Sequence, residues 1–207
     1  MQKIKNIVFD LGNVLVDLDF AKSQGAFATL LGQNLEMDTY NMETASLFKK
    51  FELGKVSSEE FLNQLRIATQ QPVEDTHLVA AWNAMLLGIK AARFPMLRKL
   101  KTRYRLFVLS NTNEIHREWI FKHVATVHGI TDFQTNYFEK IYCSDQLGLR
   151  KPERAIYDFV LQDAQLVAGE TLLIDDKVEN IDMAMIAGWQ GRLHDPEMEI
   201  AELLKDF

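Results

Sequence analysis

Ile7-Val8-Phe9-Asp10-Leu11-Gly12-Asn13-Val14-Leu15-Val16-Asp17 decides how this chain folds. A short, unbroken apolar run ends on an acid, a Gly-Asn pair follows, and the chain turns apolar again. Continuous apolar runs of this length mark a strand buried on both faces, the pattern of a parallel sheet. Such a strand delivers Asp10 to the carboxyl edge of the sheet, where open α/β sheets bind their ligands.

Working outward, Arg105-Leu106-Phe107-Val108-Leu109 is a second buried strand, ending on Ser110-Asn111-Thr112-Asn113. Lys140-Ile141-Tyr142-Cys143 is a third, and Thr171-Leu172-Leu173-Ile174 a fourth, ending on Asp175-Asp176. Helical periodicity separates them from about residue 93 onward, including 114–128 and a helix that Lys151-Pro152 opens. The alternation predicts a doubly wound parallel sheet. Residues 18–90 read differently, as helices with no convincing strand. Phe20, Phe27, Leu30 and Leu31 share helical spacing, and Gly54 stops the helix carrying Leu47, Phe48 and Phe51. Ser57 and Glu60 form a capping box, and a last helix carrying Val79, Trp82, Met85 and Leu86 closes at Gly88. The expected organisation is an α/β core of 1–17 and 91–207 with a helical insertion, 18–90, after the first strand.

Bulk properties exclude several classes. At 207 residues and 47% hydrophobic, the chain can bury a substantial core. A net charge of −6 disfavours a nucleic-acid partner. No apolar run reaches the ~20 residues a membrane helix needs. The lone Cys143 leaves no intrachain disulfide, which fits a reducing compartment and a cytoplasmic location. It reads as a small buried hydrophobe. The five histidines show no zinc spacing, and neither a G-x-S-x-G elbow nor a GxxxxGK loop is present.

Parallel strands bring Asp10, Ser110, Asn111, Asp175 and Asp176 to one edge, with Lys151 on the same side. Carboxylates gathered in this way repel unless a cation sits among them, and oxygen-only donors suit Mg²⁺. Ser110, Asn111 and Lys151 suit an anion beside that metal, and a phosphoryl group is the natural candidate. The remaining nucleophile is an aspartate, which attacks phosphorus to give an aspartyl-phosphate that water hydrolyses.

Taken together these motifs resemble the haloacid dehalogenase superfamily of aspartate-nucleophile hydrolases. That family's first motif, a strand ending in DxD, stands here as Asp10-Leu11-Gly12-Asn13-Val14. Its second is Ser110-Asn111, its third Lys151-Pro152, and its fourth Asp175-Asp176 with Asn180 in a DDxxxN form. The resemblance implies a Rossmann-like core with a helical cap. It implies Asp10 as nucleophile, with Asp10, the Gly12 carbonyl and Asp176 holding Mg²⁺ and Asp175 doing so directly or through water. Ser110, Asn111 and Lys151 would hold the phosphoryl oxygens.

One departure matters. The family's second aspartate, which protonates the leaving oxygen and activates water, is replaced by Gly12; losing such a group typically costs ~10²–10⁴ in rate. Three readings follow. A 2-haloacid dehalogenase needs no leaving-group proton, but its relatives lack the acidic pair of the fourth motif. A catalytically weak protein would bind a phosphorylated ligand or partner. A phosphatase would act on a substrate with an easy leaving group, and the surrounding sequence resembles the family's α-D-glucose-1-phosphate phosphatase subgroup. The expectation is therefore a Mg²⁺-dependent phosphatase of a small metabolite, such as a sugar phosphate. Asp17 reads as a hinge residue rather than a substitute acid, Asn13 as either a loop former or a site hydrogen bond, and Lys49, Glu52 and Trp82 as solvated face and insertion core.

Overall fold

The computed structural model describes residues 2–31, 42–69 and 72–207. The elements are β1 (Asn6–Phe9), β2 (Asp17–Leu18), α1 (Phe20–Leu31), α2 (Met42–Glu52), α3 (Ser58–Thr69), α4 (Asp75–Asn83) and β3 (Leu86–Gly88). They continue with α5 (Arg93–Lys101), β4 (Arg105–Ser110), α6 (Glu114–His128), α7 (Phe133–Tyr137), β5 (Lys140–Cys143), α8 (Ser144–Leu147), α9 (Arg154–Asp163), β6 (Thr171–Asp175), α10 (Val178–Ile186), β7 (Gln190–Leu193) and α11 (Ile200–Leu203).

Five strands form one parallel sheet in the order β5-β4-β1-β6-β7. β1 is central, and alternate residues pack on opposite faces. Ile7 and Phe9 join Leu106, Val108, Leu172 and Ile174 beneath α5, α6, α7 and α11. Val8 joins Phe107, Leu109 and Leu173 beneath α9 and α10. Both faces are covered, which is why these strands are apolar without alternation. A third apolar cluster, centred on Phe27, Phe51, Phe61, Leu78 and Trp82, belongs to α1–α4 and touches α6 through Ile115. Among the described residues, no helix is long and apolar enough to cross a membrane.

Local signals explain most boundaries. Ser57 Oγ accepts from Glu60 N at 3.1 Å and starts α3. Gly54, with φ +63°, lies past the end of α2. Asn113 caps α6 by accepting from His116 N at 3.0 Å. Cys143 is a buried strand residue whose thiol burial pushes up to about 12.

Four expectations need correction. The helix expected to close at Gly88 stops at Asn83, and Leu86–Gly88 is instead a strand, antiparallel to β2. Ser23 is responsible: its hydroxyl donates to Ala81 O (2.7 Å), lies 3.0 Å from Trp82 O, and accepts from Met85 N (3.0 Å). The backbone is thus taken out of the helix and turned back beside the strand that left the core. Lys151-Pro152 does not open a helix; the peptide between them is cis, and α9 starts at Arg154 after an extended Glu153. The stretch 144–150 is not all loop, since Ser144–Leu147 forms one helical turn. Phe20 is half exposed rather than packed in the helical cluster; the side chain of Leu31 lies outside the described residues.

Ser23→Ala leaves the Met85 N–H without its buried acceptor and takes one donor from the Ala81 and Trp82 carbonyls. It should lower unfolding free energy by about 1–3 kcal/mol, read from urea denaturation; an unchanged midpoint would remove Ser23 as the residue that ends α4.

Candidate active site

The carboxyl edge of the sheet opens into a cavity of about 630 Å³. Asp10, Ser110 and Lys151 line it, as do Asn111 and Asp176. Lys151 organises the floor. It is 1% exposed, and its Nζ lies 2.9 Å from Asp10 Oδ1 and 2.5 Å from Asp175 Oδ2. Burial works against its charge, but the carboxylates of Asp10 and Asp175 outweigh that and hold its pKa above the ordinary lysine value.

Asp10 accepts a second hydrogen bond at Oδ1, from Leu11 N at 2.7 Å. Burial raises its pKa to about 6, against the pull of Lys151 and with Asp175 adding to the rise. Asp175 is fully buried. Besides Lys151 it accepts from Asn180 Nδ2 (2.8 Å) and Lys177 N (2.9 Å). Asp176 is more open and accepts from Asn13 Nδ2 at 2.9 Å. Asp10, Asp175 and Asp176 bring one oxygen each to within 4.8 Å of one another. Three hard oxygen donors around a desolvated carboxylate fit Mg²⁺, whose charge would keep Asp10 ionised.

Between Leu11 and Val16 the chain makes a tight loop, with Leu15 N and Val16 N both donating to Leu11 O and Asn13 N to Val16 O. Asn13 sits at φ +56°, the left-handed region that asparagine tolerates best after glycine. It is therefore both loop former and site hydrogen bond. At Gly12 a Cβ would come within 2.9 Å of Leu18 Cδ1, so a side chain there would require the end of Leu18 to turn aside. Asp17 is remote in function. It pairs with Arg93 (2.7 Å) and Lys90 (3.3 Å), and Arg93 also donates to Leu15 O.

The Asn111 side chain is committed elsewhere than expected. It donates to Lys151 O at 2.8 Å and accepts from Lys151 N at 2.9 Å. This amide bracket fixes the backbone that carries the lysine, so the side chain positions Lys151 while the second Nδ2 hydrogen stays uncommitted at the cavity.

Lys49, Glu52 and Trp82, expected as solvated face and insertion core, all line the cavity, with Phe48, Arg150 and His116. Trp82 stacks on His116 at 5.0 Å and 17° and donates from Nε1 to Asn113 Oδ1 at 3.4 Å. Asn113 Nδ2 lies 3.2 Å from His116 Nδ1, and His116 Nε2 lies 3.2 Å from Trp82 O. With the Asn113 amide donating to Nδ1, the ring is neutral and donates from Nε2. Burial agrees, pushing the pKa down to about 4. No spacing rule in the sequence flags His116 or Asn113; Asn13 and Arg150 are visible only as neighbours of Gly12 and Lys151.

A buried aspartate–lysine pair beside two further acids, at the edge of a doubly wound sheet, fits a hydrolase that uses carboxylates and a divalent metal. The chain belongs to the haloacid dehalogenase-like hydrolase family, which matches residues 4–188. It is 31% identical, over 90% of both chains, to a D-ribitol-5-phosphate phosphatase of Bacteroides thetaiotaomicron. Among solved structures it resembles the family enzyme BT-2542 of the same organism, with a TM-score of 0.91 at 31% identity, covering 98% of this chain and 99% of that one. A complex of wild-type BT-2542 with magnesium and inorganic phosphate superposes with a TM-score of 0.89 at 32% identity, over 97% and 98% of the two chains. The protein is a phosphoric monoester hydrolase, and Mg²⁺ is its cofactor.

The neutral His116 gives a pH test. Its folded pKa of about 4 lies below the ordinary value of 6.5. Its contribution to stability is therefore fully present above pH 6.5 and is lost as pH falls through about 4. The melting temperature should drop across that window, and His116→Gln, which does not titrate, should flatten the drop.

Proposed function

We propose that this protein dephosphorylates a small sugar or polyol phosphate in the cytoplasm, with Asp10 as nucleophile. The observation that carries this reading is the Lys151 clamp on Asp10 at the floor of a cavity large enough for a phosphorylated metabolite. The recorded contacts of Asp10 fall on Oδ1, so Oδ2 is the oxygen left to react. A new bond forms from Oδ2 to phosphorus as the bond from phosphorus to the leaving oxygen breaks. The departing oxygen takes its proton from solvent, since Gly12 offers none. Water then attacks phosphorus, the bond to Oδ2 breaks, and phosphate leaves. Lys151 neutralises the phosphoryl oxygens with Ser110, while Asn111 keeps Lys151 in place. Asp10, the Gly12 carbonyl and Asp176 would hold Mg²⁺. Asp175 has three donors already and orients Lys151 and Asn180. The bound ion supplies charge neutralisation, the main source of rate for phosphoryl transfer.

Residues 18–90 act in this reading as a lid that closes over the substrate and excludes water. Within the sugar phosphates, Gly12 favours an ester whose leaving oxygen needs little help, as in glucose 1-phosphate. The D-ribitol-5-phosphate phosphatase relative favours a primary-alcohol ester.

Asp10→Asn should reduce phosphatase turnover at least ~10³-fold, by loss of the nucleophile, with an unchanged far-UV spectrum; activity within tenfold of wild type would remove Asp10 from that role. A panel of phosphate esters, with 2-chloropropionate as control, should show turnover of sugar or polyol phosphates that excess chelator abolishes. Glucose 1-phosphate should exceed ribitol 5-phosphate in kcat; equal rates would refute the leaving-group argument, and chloride release in chelator would point to a dehalogenase.

A further inference from the structure

We propose that Glu52, Arg150 and Trp82 read an uncharged, hydroxyl-bearing tail on the substrate and discriminate against tails that carry a carboxylate. The inference rests on the phosphatase reading above and deepens it. Glu52 is the last residue of α2, and Arg150 directly precedes Lys151. Arg150 Nη2 donates to Glu52 Oε2 at 3.1 Å, and the two side chains are 26% and 31% exposed. Both line the cavity. The pair therefore joins the helical insertion to the backbone that carries the phosphate clamp.

Its chemistry suits hydroxyls. A hydroxyl both donates and accepts, and the pair offers a carboxylate acceptor beside guanidinium donors. Arg150 Nε is buried and has no hydrogen-bond partner among the described residues, so a turn of the guanidinium that lets Nε donate to a substrate oxygen would satisfy it. A carboxylate tail meets the opposite situation. Glu52 already neutralises Arg150, and an incoming acid must displace it or sit beside it. A purely apolar tail does no better, because covering the pair strips water from two charges.

Trp82 supplies the complementary surface. His116 stacks on it, Phe48 lies 4.9 Å from it and Asn113 takes its Nε1–H, so the ring is fixed in place. Only 6% of Trp82 is exposed, so it offers the cavity a narrow apolar edge, against which the C–H side of a sugar or extended polyol can rest. Lys49, one turn before Glu52, is exposed at the same cavity and would favour an acidic tail if it dominated. That makes the proposal a choice between two charge patterns.

The test compares kcat/KM of the full chain with Mg²⁺ on glucose 1-phosphate and ribitol 5-phosphate against 2-phosphoglycolate and 3-phosphoglycerate. Wild type should favour the first pair. Glu52→Gln should lose roughly tenfold on the polyol phosphates and gain roughly tenfold on the acid-tailed esters, the scale of one charge-assisted hydrogen bond. Adding Arg150→Gln should cancel the gain. A uniform loss on all four would mean that the pair is only a strut, and a wild-type preference for the acids would give recognition to Lys49; either overturns the proposal. Should Glu52→Gln fail to fold, Arg150→Gln alone serves: it leaves Glu52 unpaired and should depress the acid-tailed esters more than the others, whereas equal depression overturns the proposal. Failure of wild type to hydrolyse any phosphate ester would instead sink the phosphatase reading.

Discussion

One buried ammonium holds this site together. Lys151 is almost wholly removed from water, a state that is costly unless its charge is met. It is met twice, by Asp10 immediately after β1 and by Asp175 at the end of β6, strands that are neighbours in the sheet. Each carboxylate would in turn be unfavourable there without the lysine. The three charges are therefore mutually required, and much of the surrounding hydrogen bonding maintains their spacing. Asn111 fixes the lysine's backbone, Asn180 and Lys177 N fix Asp175, and Leu11 N fixes Asp10.

The sheet explains why such a cluster forms from residues so far apart in sequence. Parallel strands end together, so a chain that places one polar residue after each apolar run collects them at one edge. That much is plain in the sequence. The strands around Ile7–Phe9, Leu106–Leu109 and Leu172–Ile174 announce themselves because both faces are buried, and the acids stand directly after them. The insertion's helices are legible for a similar reason, through Gly54 and the Ser57 cap.

Other features were hidden because they depend on partners distant in the chain. β3 looks like a helix end, since Met85 and Leu86 continue the apolar period. Ser23 and the Asp19 N–H, more than sixty residues earlier, hold that backbone out of the helix. Lys151-Pro152 looks like a helix start because proline suits a first turn; the bracket from Asn111 holds it as a turn instead. Asn111 reads as an anion ligand by its place after Ser110, and the sequence does not show that one of its amide hydrogens and its amide oxygen bracket the main chain of Lys151. Asn113 announces itself only as a helix cap and His116 not at all, because their place in the site comes from stacking and bonding to Trp82 on another element.

β2 and β3 run side by side for only two paired positions, Asp17 with Gly88 and Leu18 with Leu86. The chain leaves the core and returns to it through this narrow stem, which Asp17 ties to Arg93 and Arg93 to Leu15. Everything between the two strands is, to the sheet, a single excursion with adjacent ends. Its helices contribute no ladder hydrogen bond to the five-stranded sheet. The same stem thus confines the covalent link between the sheet that carries the floor and the helices that line the cavity above it to two neighbouring chain crossings.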